Sequence, residues 1–378
     1  MHDQRLERLA RVLVDYSMAV KRGDVVGIRM SPLAEPLVLA LYRSVLGAGG
    51  HPVVRMAPEE CAESLAKSGT ARQLAYLFPP DLVEIDELDC YVTAWGSRNS
   101  RSMSNVDPDA QAAISKARRP LFDAILKRIG QSGPRKLRWV GTQFPCHSAA
   151  QDAEMSLSEY ADFVFGAGHL DRRDPVGEWK RMGIAQQRVA DHLNKARELR
   201  YVTEQGTDIR FGIHGRNWIN CDGKNNFPDG EVFTGPIESA TEGEVRFNFP
   251  AVFQGREITD VRLKFRGGKV VDADAAKGRD FLYKMMDQDA GGRILGEVAM
   301  GTNYSIQKFT RNTLFDEKIG GTVHMALGAS LPRSGGKNKS ALHWDMVLDL
   351  RRGGRIEADG KVISKNGRFT RAGFPRPR

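Results

Sequence analysis

The sequence has no long apolar run. Nowhere in its 378 residues do about 18 hydrophobic residues follow one another, which is the length that a membrane helix needs. A membrane-spanning helix is therefore not expected. Residues 1–9 are charged and mixed in sign, without the apolar region of a signal peptide. We expect them to begin the fold as an amphipathic helix.

Cysteine is scarce, and the common nucleotide-binding motifs are missing. The four cysteines stand far apart with no Cys-x-x-Cys, which argues against a zinc knuckle and a disulfide framework and predicts a reducing, cytoplasmic location. No Gly-x-Gly-x-x-Gly follows a strand-like segment, and no Gly-x-x-x-x-Gly-Lys-Ser/Thr occurs. We therefore expect no nucleotide cofactor.

The formal net charge of +9 is unevenly placed. Residues 351–378 hold nine basic residues against Glu357 and Asp359, so +7 of the excess lies in this segment. No basic stripe with interleaved aromatic residues occurs, so nucleic-acid binding is not expected. The pattern favours a solvated basic C-terminal tail, with nonspecific anion binding as the less favoured interpretation.

A chain of 378 residues is too long for one ordinary core, so two domains are expected. In the first half, strand-like segments alternate with helical patterns. The strand-like segments are residues 25–30, 51–56, 89–96 and 136–141, and a helix is predicted over residues 109–129. This alternation indicates an open parallel α/β sheet with helices on both faces.

Beyond residue 200, polar and apolar residues alternate between Gly- and Pro-containing turns, which indicates antiparallel strands. One helix is predicted over residues 278–288, and a hairpin is predicted around Asp359-Gly360. The predicted domains are therefore residues 1–200, an α/β domain, and residues 201–378, a β-rich α+β domain with the basic tail.

Residues 341–348 (ALHWDMVL) are typical of a strand whose two faces differ. A period of two places His343 and Asp345 on one face and Trp344 on the other. Two ligands held two residues apart on a stiff strand suit a metal site. The solvated face of an amphipathic strand would explain the same pattern and is the commoner case.

Three more residues of this half stand in unexpectedly apolar surroundings. His324 lies in the strand-like segment 322–328, Glu231 follows the turn at residues 228–230, and Glu297 lies within residues 294–300. A buried histidine with a hydrogen-bond partner, or an edge or salt-bridged glutamate, would explain each of them singly. Together with His343 and Asp345 they form the set of imidazoles and carboxylates that a pair of divalent ions needs.

Five segments of the second half carry a resemblance to a known family. They are FPDGEVFTGP (227–236), LGEVA (295–299), NTLFDEK (312–318), HMALG (324–328) and NKSALHWD (338–345). These segments closely resemble the aminopeptidase T and aminopeptidase S family of dinuclear metallo-aminopeptidases. The resemblance covers nearly the whole chain, including residues 13–24, and is specific in the second half.

This resemblance implies a function and a site. It implies that the metal ligands are Glu231, Glu297, His324, His343 and Asp345. They would hold two ions, zinc, cobalt or manganese, in a catalytic second domain. It also implies removal of N-terminal residues from short peptides or small amides, and a homodimer whose first domains help to enclose the active sites. A carboxylate would relay the proton of water to the leaving amine, with Glu231 and Glu297 as the catalytic candidates.

The chain departs from the family at one position. Leu331 stands where the family typically has a tyrosine, just before the proline that follows HMALG. A leucine cannot ligate, donate a proton or hold an oxyanion. Either another group such as Tyr304 takes this role, or the activity is weaker or different.

Three alternatives remain beside the aminopeptidase. A mononuclear iron oxygenase needs only His324, His343 and Asp345, and the ring-cleaving dihydroxypyridine dioxygenases resemble the chain distantly. A hydrolase of a non-peptide amide or lactam is suggested by Leu331. A binding protein with a degraded site is disfavoured, because all five ligands are present.

Overall fold

A computed structural model describes residues 3–377 and divides into two compact units. The first comprises the chain up to Val176 together with Gly223–Pro228, and the second comprises Gly177–Asp222 and the chain from Asp229 onward. The division therefore falls at Val176 rather than near residue 200. The physical reason is that Val189 and Leu193 belong to the hydrophobic core of the second unit.

The first unit is built on a five-stranded parallel sheet in the order β2-β1-β3-β4-β8. The sequence predicted the first four strands, and they are present within a residue or two of the expected bounds. The fifth has only two residues, too few for a periodic pattern. The strands are β1 (Val25–Met30), β2 (His51–Met56), β3 (Cys90–Trp95), β4 (Arg138–Gln143) and β8 (Asn226–Phe227).

Helices alternate with these strands, as the pattern of the first half predicts. The predicted helix over residues 109–129 is confirmed as α6, which Asp107 caps through its side chain. The helices are α1 (Gln4–Val12), α2 (Glu35–Gly47), α3 (Glu59–Ser68), α4 (Ala71–Leu74), α5 (Pro80–Glu87), α6 (Pro108–Ile129), α7 (His147–Asp152) and α8 (Leu157–Ala167). Within the described part of the chain, no helix is long and apolar enough to cross a membrane.

The second unit contains an eight-stranded antiparallel sheet in the order β14-β13-β10-β6-β5-β18-β19-β20. Its strands are β5 (Glu198–Thr203), β6 (Asp208–Gly212), β10 (Thr241–Arg246), β13 (Arg262–Arg266), β14 (Lys269–Asp274), β18 (Gly354–Ala358), β19 (Lys361–Lys365) and β20 (Arg368–Phe369). A separate hairpin consists of β11 (Ala251–Phe253) and β12 (Arg256–Ile258). The helices are α9 (Pro175–Leu193), α10 (Arg279–Met286) and α11 (Thr313–Asp316).

A second antiparallel sheet of this unit has five strands in the order β17-β16-β15-β9-β7. They are β7 (Ile219–Cys221), β9 (Glu231–Thr234), β15 (Leu295–Gly301), β16 (Thr322–Gly328) and β17 (His343–Asp349). Val298, Met325 and Trp344 point from this sheet into one core that they share with side chains of the eight-stranded sheet. The expected mixed fold, a parallel α/β part and a β-rich part, is confirmed.

The basic C-terminal segment is not a solvated tail. Residues 354–369 form β18, β19 and β20, and Ile356 and Phe369 are buried in the core. Arg351 forms an ion pair with Asp349, so part of the positive charge is neutralised locally. The predicted turn at Asp359-Gly360 is confirmed, and Arg378 lies outside the described residues.

Gly296 is the glycine on which the site depends most, since it precedes Glu297 at a bulge in β15. A Cβ atom there would lie 2.1 Å from the Ala329 carbonyl oxygen, which is part of the backbone and cannot move aside. We expect Gly296→Ala to lower the free energy of unfolding by about 1–3 kcal/mol, measured by denaturant titration.

The matched control is Gly47→Ala, at the end of α2. A Cβ atom at Gly47 has nothing within 4 Å, so stability should stay the same or rise. Equal stabilities for the two variants would show that the bulge in β15 tolerates a side chain.

Candidate metal centre

The five predicted site residues lie on four strands of the five-stranded sheet. Glu231 begins β9, Glu297 lies in β15, His324 lies in β16, and His343 and Asp345 lie in β17. The register places Glu297 opposite Ala326 and Ala326 opposite Asp345, so these three residues form one row across the sheet. Because side chains alternate along a strand, the whole set projects from one face.

Small residues separate the site residues on this face. Ala299 is paired with His324, Ala326 lies between Glu297 and Asp345, and Gly301 is paired with Glu231. None of these neighbours has a side chain longer than a methyl group. These neighbours therefore place little apolar bulk between the polar side chains, and beside Gly301 the Ile319 carbonyl oxygen lies 2.2 Å from where a Cβ atom would stand.

Glu297 connects the two histidines. Its Oε1 atom lies 3.3 Å from His324 Nε2, and its Oε2 atom lies 3.9 Å from His343 Nε2. Glu231 Oε2 lies 3.1 Å from His324 Nε2, and Asp345 Oδ2 lies 3.5 Å from His343 Nε2. The cluster thus consists of two halves, each with one imidazole and a carboxylate of its own, and Glu297 is common to both.

A backbone carbonyl group orients the imidazole of His343. Its Nδ1 lies 2.9 Å from the Ala329 carbonyl oxygen, so Nδ1 carries the hydrogen and Nε2 faces the carboxylates. A backbone carbonyl on the far nitrogen is the arrangement that fixes a ligating histidine.

Burial and charge shape the protonation of the cluster. Burial alone would lower the pKa of His324, which is 0% exposed, but hydrogen bonds to Glu231 and Glu297 raise it above the ordinary histidine value. The pKa of His343 rises for a similar reason: the charges of Asp345 and Glu297 outweigh the effect of burial. Each imidazole therefore lies where the surrounding carboxylates favour positive charge.

These residues fit a divalent metal. Donor atoms of Glu231, Glu297 and His324 lie within 4.8 Å of one another. Asp345 Oδ1 is buried without a hydrogen-bond partner among the described residues, although buried carboxylate oxygens normally have one. Imidazole nitrogens and carboxylate oxygens are the ligands that zinc and related ions bind.

Sequence reasoning missed one member of the cluster, Lys318. Its ammonium nitrogen lies 3.3 Å from Glu231 Oε1 and also forms an ion pair with Glu317. Burial alone would lower the pKa of Lys318, but these two carboxylates raise it above its ordinary value. Glu317 and Lys318 both stand in NTLFDEK, one of the segments that carry the resemblance, but the sequence assigns no role to Lys318. Only the structure shows that it is buried beside Glu231.

Leu331 stands where the family typically has a tyrosine, and Tyr304 was the candidate to replace that tyrosine. Leu331 is 41% exposed and lies at the start of a short 3-10 turn, Pro332–Ser334, which follows β16. The hydroxyl group of Tyr304 donates to the Gly367 carbonyl oxygen at 2.8 Å. The Tyr304 hydroxyl thus has a hydrogen-bond partner outside the five site residues. Cys221 and Asp229, which the sequence did not suggest, have donor atoms within 4.8 Å of Glu231.

Comparisons with known proteins agree with this architecture. A model of the thermophilic metalloprotease (M29) family matches residues 2–369. Aminopeptidase 2 of Geobacillus stearothermophilus is 25% identical over 402 residues, covering 95% of each chain. Aminopeptidase T of Thermus aquaticus is 29% identical over 285 residues, covering 66% of each chain.

Two solved structures share the fold. Wild-type AmpT from Thermus thermophilus superposes with a TM-score of 0.83 at 23% identity, covering 97% of this chain and 99% of that one. The 2,5-dihydroxypyridine dioxygenase of Pseudomonas putida KT2440 superposes with a TM-score of 0.60 at 15% identity, covering 97% and 98%. At these identities the likenesses show the fold alone.

The two-unit α/β fold and the cluster of carboxylates and imidazoles are those of a metalloprotein. The family match spans almost the whole chain. The protein belongs to the thermophilic metalloprotease (M29) family, which confirms the resemblance seen in the sequence.

Proposed function

We propose that this protein is a metal-dependent aminopeptidase that removes N-terminal residues from short peptides. Membership of a metalloprotease family and relatives named as aminopeptidases support this proposal. The observation that carries it is the position of Glu297, whose two oxygens face two different histidines. A carboxylate shared in this way suits two ions and hydrolysis.

The proposed ligands form two sets that share Glu297. Glu231, Glu297 and His324 would hold one ion, and Glu297, His343 and Asp345 would hold the other. Zinc, cobalt and manganese are the candidate ions, since all three accept mixed nitrogen and oxygen ligands. When bound, such ions supply Lewis acidity, which polarises a carbonyl group and lowers the pKa of water.

The chain's own residues supply position and proton transfer. The Ala329 carbonyl fixes the His343 ring, and strand pairing fixes the row from Glu297 to Asp345. Glu231 and Glu297 are the carboxylates that we propose for moving a proton to the leaving amine.

The iron oxygenase is the less favoured function. His324, His343 and Asp345 would suffice for a single iron, and the dioxygenase structure has the same overall fold. However, Glu231 and Glu297 are both buried against His324, where a mononuclear site needs only one carboxylate. The additional carboxylate charge favours a second cation.

Leu331 supports a second candidate function, hydrolysis of a non-peptide amide or lactam. No tyrosine stands at this position, and the hydroxyl of Tyr304 is bound to Gly367. A reaction that needs a phenol near the ions would therefore be slow, whereas an activated amide would not need one.

We also propose a homodimer in the cytoplasm. The dimer is implied by the family resemblance, and light scattering on the purified protein would test it. The four cysteines are all free in the structure, which suits a reducing compartment. The role of the first domain in enclosing the active sites stays a prediction.

Metal dependence is the direct test of the function. Protein stripped with a chelator should hydrolyse a leucyl anilide at least about 10²-fold more slowly than protein refilled with zinc, cobalt or manganese. The N-acetylated anilide should resist cleavage throughout, because an aminopeptidase needs a free amine. Two bound ions without cleavage would favour the amide hydrolase, and one bound iron would favour the oxygenase.

A further inference from the structure

Lys318 is a fully buried lysine within the candidate metal centre. Its side chain is 1% exposed. Its backbone is held from both sides, because its N–H donates to the Phe315 carbonyl and its own carbonyl accepts from Asn303 N–H, each at 3.0 Å. The side chain therefore approaches Glu231 from a fixed point in the loop after α11.

Stability alone does not explain a lysine at this place. Removing an ammonium group from water costs several kcal/mol, and a buried ion pair seldom stabilises a protein more than apolar side chains of similar size. A methionine would fill the same volume without this cost. A charged group retained beside a proposed ligand therefore suggests a function connected with that ligand.

The two oxygens of Glu231 have different neighbours. Oε1 lies 3.3 Å from the Lys318 ammonium nitrogen, whereas Oε2 lies 3.1 Å from His324 Nε2. The ammonium group thus engages one oxygen and leaves the other directed into the cluster.

We propose that Lys318 is a positioning residue, which occupies Oε1 of Glu231 so that only Oε2 is offered to a divalent cation. This inference rests on the proposed metal centre and extends it. A carboxylate that offers one oxygen takes up one coordination position instead of two. The position that is saved remains open for water or a substrate carbonyl, as catalysis requires.

The pair formed by Lys318 and Glu317 is the competing explanation. If Lys318 served only to neutralise Glu317, then Glu317→Gln would disturb the site as much as Lys318→Met. If Lys318 positions Glu231, then Glu317→Gln leaves the essential contact in place and has the smaller effect. The two substitutions therefore separate the two roles.

The experiment uses cobalt in place of the native metal, because its visible absorption weakens as coordination positions are filled. In Lys318→Met, Glu231 is free to bind through both oxygens, and we expect the absorption per bound cobalt to fall about twofold. In the same variant kcat on a leucyl anilide should fall about tenfold while KM changes less than about twofold. Glu317→Gln should have nearly the same cobalt absorption and the same kcat as the original protein.

Lys264→Met is the matched control, since Lys264 forms an exposed ion pair with Glu244 in the eight-stranded sheet. It should change neither absorption nor kcat. If Lys318→Met does not fold, the double variant with Glu317→Gln removes both buried charges together and is measured instead. An unchanged cobalt spectrum, or equal changes in Glu317→Gln and Lys318→Met, would overturn the proposal.

The spectrum also separates this inference from the proposed function. It needs bound cobalt but no peptide cleavage, so a changed spectrum in a protein without peptidase activity supports the role of Lys318 and contradicts the aminopeptidase. Peptidase activity with an unchanged spectrum supports the aminopeptidase and contradicts the role of Lys318.

Discussion

Replacing Glu297 with Ala should lower kcat/KM on a leucyl anilide at least about 10³-fold. The reason is that Glu297 faces His324 with one oxygen and His343 with the other, at 3.3 and 3.9 Å. Its loss would remove a proposed ligand from both halves of the centre at once. Bound metal, measured by mass spectrometry after dialysis, should fall for both ions.

Variants of the histidines make this prediction specific. His324→Ala and His343→Ala each remove a proposed ligand from one half only, so each should weaken the binding of one proposed ion more than that of the other. Glu244→Ala, which removes an exposed carboxylate of β10, should leave metal content and activity unchanged. A Glu297→Ala protein that keeps two ions and full activity would show that the carboxylate is not shared.

Folding of the first unit provides a further control. The five-stranded parallel sheet contains none of the five site residues, so the site variants should leave it folded. Far-ultraviolet circular dichroism of Glu297→Ala should therefore retain its helical signal, since eight of the helices lie in this unit. Loss of that signal would mean that inactivity reflects unfolding.

Four strands of the parallel sheet could be predicted from sequence because each is a short strand-like segment between helical segments, whereas the two residues of β8 give no pattern. The strand around His343 could be predicted because a period of two separates it from Trp344, and this separation is present in the structure. Local periodicity thus determines which face of an element a residue occupies. It does not determine what that face contacts.

The missed features all depend on contacts distant in sequence. The amphipathic pattern of α9 is compatible with either core, and only the packing of Leu193 assigns it to the second unit. The basic C-terminal segment was predicted to be solvated because the residues that pack against its buried side chains are distant in sequence. The row from Glu297 to Asp345 depends on strand register, which periodicity within one strand does not reveal.

The same limit applies to the site itself. Period-two reasoning placed His343 and Asp345 together, and apolar surroundings singled out Glu231, Glu297 and His324, but their assignment as ligands came from the family resemblance. Lys318 was missed because a lysine in a charged segment usually lies at the surface. Its burial is set by the loop between α11 and β16, for which the sequence gives no repeating pattern.

Removal of metal should lower the stability of the protein by several kcal/mol. An ion that binds only the folded state stabilises it by about 4 kcal/mol when its free concentration is a thousand times the dissociation constant. The proposed ligands come from four strands of one sheet, so the unfolded chain cannot present them together. Denaturant titration with and without a chelator would measure the difference.

His343→Ala tests whether this difference arises at the proposed site. In the stripped state the substitution should change stability little, because the side chain is 37% exposed. In the presence of metal it should remove the stabilisation that comes from the ion proposed to bind His343 and Asp345. If the original protein is equally stable with and without metal, the folded state has no metal centre. If metal raises the free energy of unfolding equally in the original and His343→Ala proteins, the stabilising ion lies elsewhere.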